Sequence, residues 1–202
     1  MKPPKVVRKV VSTLSDEEIR AILNSFGTSP TDARNQALFM ILLDTGLRIG
    51  ELINLKMEDV HMDKGYLKVM GKGDKERIVP IGKFVQMELL HYIEKVRPQP
   101  YGSGCDKLFL SRGGKPITVN TVKLVFSRLA KSSGVNRLHA HLCRHTFAIN
   151  YLLNGGDIFP LREIIGHTTL EMVNHYLHFT SSQITAQHHK YSPMDRIQEK
   201  EG

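Results

Sequence analysis

Hydrophobic spacing in this chain is helical almost throughout and turns strand-like only once, between Asp59 and Ile81. There "VHM", "YLKVM" and "ERIVPI" are short pieces separated by Asp63-Lys64-Gly65 and by Gly71-Lys72-Gly73-Asp74, residues that favour tight turns. The expected fold is therefore mainly α with one small three-stranded antiparallel sheet at residues 59–81. Upstream, "TLSDEEIRAILNSFG" opens on a capping box, Ser15 with Glu18, runs through Ile19, Ile22 and Leu23, and stops at Gly27. A second helix starts from Ser29-Pro30, runs through "ARNQALFMILLDTG" and stops at Gly46. "RIGELINL" begins a third, which puts Arg48 at or beside a helix N-terminus. Helical periodicity returns at "FVQMELLHYIEKV", "VNTVKLVFSRLAKSSG" and "HLCRHTFAINYLLNGG", and in shorter pieces to about residue 189.

A chain of 202 residues with 41% hydrophobic content supports one substantial core or two small ones and does not read as disordered or fibrous. Lys and Arg outnumber Asp and Glu by 28 to 20, and the resulting +8 favours a polyanionic partner such as nucleic acid. The opening "MKPPKVVRKVV" carries Lys2, Lys5, Arg8 and Lys9 without an acid. It lacks an apolar h-region, so it is neither signal peptide nor membrane span, and residues 1–14 read as a basic linker or DNA-tracking arm. Cys105 and Cys143 stand in unrelated contexts, so no disulfide framework is expected and the reducing cytosol is the expected compartment.

The stretch "HLCRHTFAINYLLNGG" devotes its first turn to His141, Arg144 and His145. At about 100° per residue, Leu142, Thr146, Ile149 and Leu153 form a stripe suited to a core, with His141, Arg144, His145 and Ala148 on an adjacent one. That second stripe is either a polar face satisfied locally or a seat of chemistry. Arg48 poses the same choice: a cation at a helix N-terminus opposes the macrodipole unless it pairs with Glu51 or an anion occupies the site. Lys72, between two glycines at a hairpin tip, is either a turn lysine in water or a placed point cation and proton donor. "GHTTLEMVNHY" adds His167 after a glycine and Tyr176 nine residues on. In one straight helix those two would lie roughly 13 Å apart along the axis, so a shared phosphate requires a break or a moving segment.

A metal centre is the competing chemistry, since His139, His141, Cys143, His145 and His167 crowd suitable donors near one helix. The residues between His141 and His145 include no Glu base, there is no CxxC, and Arg144 would set a cation beside the ion; no metal is expected. There is no P-loop and no GxSxG, and Asp44, Glu51, Asp59 and Asp74 do not suggest a two-metal nuclease.

Taken in order, "TGLRIGEL", "GKGDKERIVPI", "HLCRHTFA" and "GHTTLEMVNHY" resemble the motifs of the tyrosine recombinase (phage integrase) family, with Xer-like spacing, and the resemblance runs from about Thr13 to about residue 185. It implies a DNA breaking-rejoining catalytic domain over residues 15–185 that works without metal or nucleotide cofactor. Tyr176 matches the nucleophile that takes the 3′ phosphate. Arg48 and Arg144 match the pair that grips the non-bridging oxygens, Lys72 the lysine that protonates the leaving 5′ oxygen, and His141 the residue that accepts the tyrosine proton. His167 matches a hydrogen-bond donor to the phosphate and Glu51 the acidic support of the first arginine, while His145 stands behind the reacting groups. Lys75 and Arg77 join Lys2, Lys5, Arg8 and Lys9 as expected DNA contacts. The chemistry is consistent: preorganised cations stabilise the extra charge of a pentacoordinate phosphate, and a phenol with an ordinary pKa of about 10 needs positive neighbours and a proton acceptor.

The family usually carries a further helical domain that closes over the other side of the DNA. "KPPKVVRKVVSTLS" resembles the linker that follows it, so the chain reads as a fragment or a naturally short member, with weak, strongly salt-dependent binding to double-stranded DNA. "TSSQITAQHHKYSP" lies where members pass a C-terminal segment to a neighbour. The expectation is a monomer alone, a homotetramer assembled on DNA, a partly flexible tail over residues 186–202, and a location in the cytoplasm on a bacterial or archaeal nucleoid. A type IB topoisomerase-like enzyme and a non-catalytic DNA-binding regulator are the rival readings. Strand exchange separates the first, and the presence of Tyr176 speaks against the second.

Overall fold

The computed structural model describes residues 13–71, 73 and 75–166. Helix α1 (Asp16–Asn24) begins at a reciprocal capping box: Ser15 Oγ accepts the Glu18 amide at 3.2 Å and Glu18 Oε2 accepts the Ser15 amide at 2.9 Å. It ends before Gly27 because the Ser25 hydroxyl turns back to donate to the Ile22 carbonyl at 2.8 Å. Helix α2 (Pro30–Thr45) has Pro30 in its first turn and stops at Gly46, whose φ of 63° is the left-handed cap that glycine adopts without a Cβ penalty. Then come α3 (Ile49–Asn54), a 3₁₀ turn (Met57–Asp59), β1 (Val60–His61), β2 (Tyr66–Met70), β3 (Glu76–Pro80) and α4 (Lys83–His91). A π-helical turn (Tyr92–Val96) extends α4, and α5 (Val119–Ser133), α6 (Ala140–Leu153) and α7 (Ile158–Ile165) complete the described chain. Among the described residues no helix is long and apolar enough to cross a membrane.

The three strands lie in the order β1-β2-β3, all antiparallel, with Leu67 opposite Val79 and Val69 opposite Arg77. Leu67, Val69 and Val79 are buried and give the sheet an inner face. Its partner is a core built around α2, where every residue from Ala37 to Leu42 is buried, so this helix is apolar all round rather than on one stripe. Phe39 sits with Phe26 and Phe126, ring centroids 6.2 Å away in both cases, and α2 packs against α3, α4, α6 and the π-helical turn. Helix α7 packs on both α6 and β3.

Helix α6 corrects the expected stripe. Leu142, Thr146 and Ile149 are buried, but Leu153 is 76% exposed, because the helix ends there and turns away through Asn154 and Gly155. Arg144 and Ala148 are buried instead, the arginine to 2%. The Thr146 hydroxyl accepts the Leu14 amide at 2.9 Å and donates to the Leu142 carbonyl at 2.8 Å, which ties α6 to the start of α1. The first turns of α3 and α6, strand β3 and the last turn of α7 therefore meet at one end of the core.

Candidate active site

Gly46 lets the chain reverse after α2 and sends it straight into α3 with Arg48 as the N-cap residue. The cation at this N-terminus does have its carboxylate: the Arg48 amide donates to Glu51 Oε2 at 2.9 Å and Nη1 to Oε1 at 3.1 Å. The Glu51 side chain is 9% exposed and the Arg48 side chain 42%. Arg77, from β3, reaches the same carboxylate with both Nη atoms, each at 3.0 Å, and its Nε donates to the Ile164 carbonyl at the end of α7, 2.8 Å away. Burial alone would push the Glu51 carboxyl up, but the Arg77 fork, the Arg48 amide and the two cations hold it below its ordinary value.

Arg144 comes from the second turn of α6 and is gripped by backbone. Nη1 donates to the Gly46 carbonyl and Nη2 to the Ile165 carbonyl at 2.6 Å. One buried guanidinium thus joins the end of α2 to the end of α7. Burial first, then repulsion from Arg48, lowers its pKa to about 10, with Glu51 opposing; it stays charged near neutral pH. Gly166, the residue after α7, has a φ of 79°, and a Cβ there would lie 3.8 Å from Arg48 Nη1. Arg48, Arg77 and Arg144 accordingly converge on residues 164–166, although 48 and 144 are far apart in the chain.

His141 is exposed on the first turn of α6. The His145 ring, one turn on, meets it edge-to-face with centroids 4.4 Å apart. Burial, then Arg144, His139 and Arg48, lower the His141 pKa, and burial followed by His141, His139 and Arg144 pushes His145 down to about 4. His139 Nδ1 accepts the Leu142 amide at 3.1 Å and so caps α6. Cys143 is buried, and burial pushes its thiol well up. Among the described residues no three His, Cys, Asp or Glu side chains come together as a possible metal set, and both cysteines are free.

The two histidines give the fold an acid-sensitive window. An unfolded imidazole titrates near 6.5 and folded His145 near 4, so between these values the unfolded chain binds more protons. The contribution of His145 is fully present above pH 6.5 and is lost as pH falls towards 4. His145→Asn should flatten this part of the profile, read as thermal midpoints between pH 4 and 7; identical slopes for the two proteins would exclude His145 as the source.

The structure brings together Arg48, Glu51, Arg144, His141 and His145. Lys75 is exposed at the base of the β2–β3 hairpin, where its carbonyl accepts the Gly71 amide. The Arg77 side chain, expected at the DNA, is 14% exposed, with its donors on Glu51 and Ile164. Lys72, His167, Tyr176, the arm with Lys2, Lys5, Arg8 and Lys9, and the tail lie outside the described residues. Sequence reasoning passed over α5, where Lys123, Ser127, Arg128 and Lys131 are exposed. Lys123, Ser127 and Lys131 line a cavity of about 540 Å³ with His139 and His141. Their i, i+4, i+8 spacing was the available signal.

The profile of the phage integrase family matches residues 12–183. The tyrosine recombinase XerD of Listeria innocua is 34% identical over 196 residues, 94% of this chain and 65% of that protein. XerD of Staphylococcus saprophyticus is 35% identical over 193 residues. The chain thus spans 65% of the length of these curated relatives. Among solved structures, XerA recombinase is similar with a TM-score of 0.72 at 29% identity, over 95% of this chain and 67% of that one. The XerH site-specific recombinase bound to palindromic difH substrate, a post-cleavage complex, gives 0.72 at 26% identity over 90% of this chain and 53% of that one. The catalytic domain of bacteriophage HP1 integrase, at 24% identity and a TM-score of 0.65, shares the fold across 91% of this chain and 96% of that one. With its family profile running from the segment before α1 to beyond α7, this chain belongs to the phage integrase family.

Proposed function

We propose that this chain is the catalytic domain, over residues 15–185, of a site-specific DNA recombinase that cleaves and rejoins strands through a covalent 3′-phosphotyrosine at Tyr176. The observation that carries the reading is the convergence of Arg48 and Arg144, from α3 and α6, beside an exposed His141. Permanently charged guanidinium groups held by a carboxylate and by backbone carbonyls are preorganised for the non-bridging oxygens of a phosphodiester, whose negative charge grows in the transition state. They do there what metal ions do in other phosphoryl-transfer sites. His141, whose pKa is lowered by partial desolvation and by its cationic neighbours, suits acceptance of the tyrosine proton. Lys72 protonates the leaving 5′ oxygen, His167 binds the phosphate, and Glu51 supports Arg48. The phosphotyrosine conserves the energy of the broken bond, so rejoining needs no nucleotide.

The partner is double-stranded DNA, a reading supported by the exposed basic face of α5 beside His141. XerH is described on its difH substrate. Assembly into a tetramer occurs on DNA through the C-terminal segment, with a monomer in its absence, in the cytoplasm. The test is covalent trapping: the protein is incubated with nicked suicide duplexes carrying candidate sites, without divalent metal, and any adduct is mapped by peptide mass. The expected product is DNA joined to the peptide containing Tyr176. Absence of an adduct on every duplex would favour a DNA-binding protein with this fold, and adducts without strand exchange between two sites would favour a topoisomerase-like enzyme.

A further inference from the structure

The residue whose placement asks most for an explanation is Arg77. Alternation along β3 puts Arg77 and Val79 on the sheet's inner face, opposite Val69 and Leu67, and turns Ile78 outward, where it is 59% exposed. Polarity alone would choose the opposite register. What Arg77 gains inside is a fork-on contact with Glu51, both Nη atoms at 3.0 Å, together with the Nε bond to Ile164. Arg48 meets the same carboxylate side-on, through Nη1 at 3.1 Å.

We propose that Arg77 is a positioning residue for strand cleavage: it occupies the fork of the Glu51 carboxylate and so leaves Arg48 side-on, facing outward, while fastening β3 to the end of α7. The inference rests on the recombinase reading above. Its physical content is competition for one carboxylate. A guanidinium fork matches a carboxylate in two parallel hydrogen bonds, and that geometry is the stronger one. With Arg77 in place Arg48 is excluded from it. Without Arg77, Arg48, already bonded to Oε1 through Nη1, rotates into the vacated fork and gives up its side-on, 42%-exposed placement. Lysine cannot reproduce the contact, because its ammonium is a point charge without the planar pair of donors that meets a carboxylate in two parallel bonds. The 14% exposure of the side chain argues against the alternative that Arg77 is a direct DNA contact.

The experiment measures single-turnover cleavage of a suicide duplex by the unaltered protein, Arg77→Lys, Arg48→Ala and the double variant. DNA affinity is read separately, at several salt concentrations, in a Tyr176→Phe background. Misplacement of one reacting group costs on the order of a hundredfold, so Arg77→Lys should cleave about a hundredfold more slowly while DNA affinity stays within about twofold. In the Arg48→Ala background Arg77→Lys should add no further loss, since the group it positions is gone. Cleavage by Arg77→Lys within about twofold of the unaltered protein overturns the proposal. So does a loss that multiplies undiminished in the Arg48→Ala background, which marks a merely structural residue. So does weaker DNA binding with a shallower salt dependence, which marks a phosphate contact. No adduct from the unaltered protein overturns the recombinase reading and this role with it, a result separable from normal cleavage by both proteins. Should Arg77→Lys not fold, Glu51→Gln, which removes the charge the two arginines share, is read against Arg48→Ala in the same way.

Discussion

On the recombinase reading, Arg144→Ala will reduce strand cleavage about a hundredfold to a thousandfold and also lower the thermal midpoint, by about 5–15 °C. The catalytic part follows from removing a preorganised cation aimed at developing charge, whose single-donor counterparts are worth factors of about 100 to 1,000. The stability part follows from where the guanidinium sits. Gly46 and Ile165 are both buried, and each loses the donor that Arg144 gives its carbonyl. A buried acceptor left without its partner costs about 1–3 kcal/mol. Relief of the repulsion from Arg48 and Arg77 offsets part of that, leaving a net loss of about 2–4 kcal/mol. Arg144→Lys separates the two effects: a lysine keeps the charge but cannot fork between two carbonyls, so it should recover some of the midpoint and little of the cleavage. Calorimetry and suicide-substrate cleavage on the same preparations provide the check. A variant that melts with the unaltered protein and has lost only cleavage would contradict the bracketing role of Arg144.

Gly46→Val should be the most damaging single substitution in the loop before Arg48. The residue has a φ of 63°, and a Cβ there would come 2.7 Å from Phe147 Cδ1. The left-handed conformation costs a side-chain-bearing residue about 1–2 kcal/mol, and overpacking against the half-buried Phe147 ring adds about 1–3 kcal/mol. Together these predict a loss of about 3–5 kcal/mol and a midpoint lower by about 10 °C or more. The same displacement moves the Gly46 carbonyl off Arg144, so cleavage should fall even at temperatures where the variant is folded. Gly46→Ala lacks the branch at Cβ and should fall between the two proteins. A Gly46→Val protein with an unchanged midpoint would mean that Phe147 moves aside without cost.

Where the chain states its structure locally, the sequence is easily read. The Ser15–Glu18 box, Pro30 after Ser29, Gly46 after Thr45 and the two hairpin turns each act through neighbouring backbone, and each lies where its chemistry requires. Arg48 at the start of α3 follows from the same signals. What local reading did not reach depends on contacts between distant segments. Arg144 looks like a polar residue on a second stripe until the carbonyls of Gly46 and Ile165 close around it. Leu153 looks like core until the helix ends beneath it. Arg77 looks like a hairpin cation until the register with β2 turns it inward to Glu51, and that register is set by which face of the sheet α2 and its neighbours cover. The tyrosine segment follows the resemblance alone, since Tyr176 lies beyond the described residues.

The bracketing by Arg144 also bears on how such a chain could diverge. His141 is exposed, and its loss would leave the core intact, so a lineage released from selection for strand cleavage could discard it at little cost. Arg144 is different, because the fold itself would resist its replacement. In inactive descendants this arginine should therefore outlast the chemistry it served, and its presence alone is a poor sign that a relative still cuts DNA.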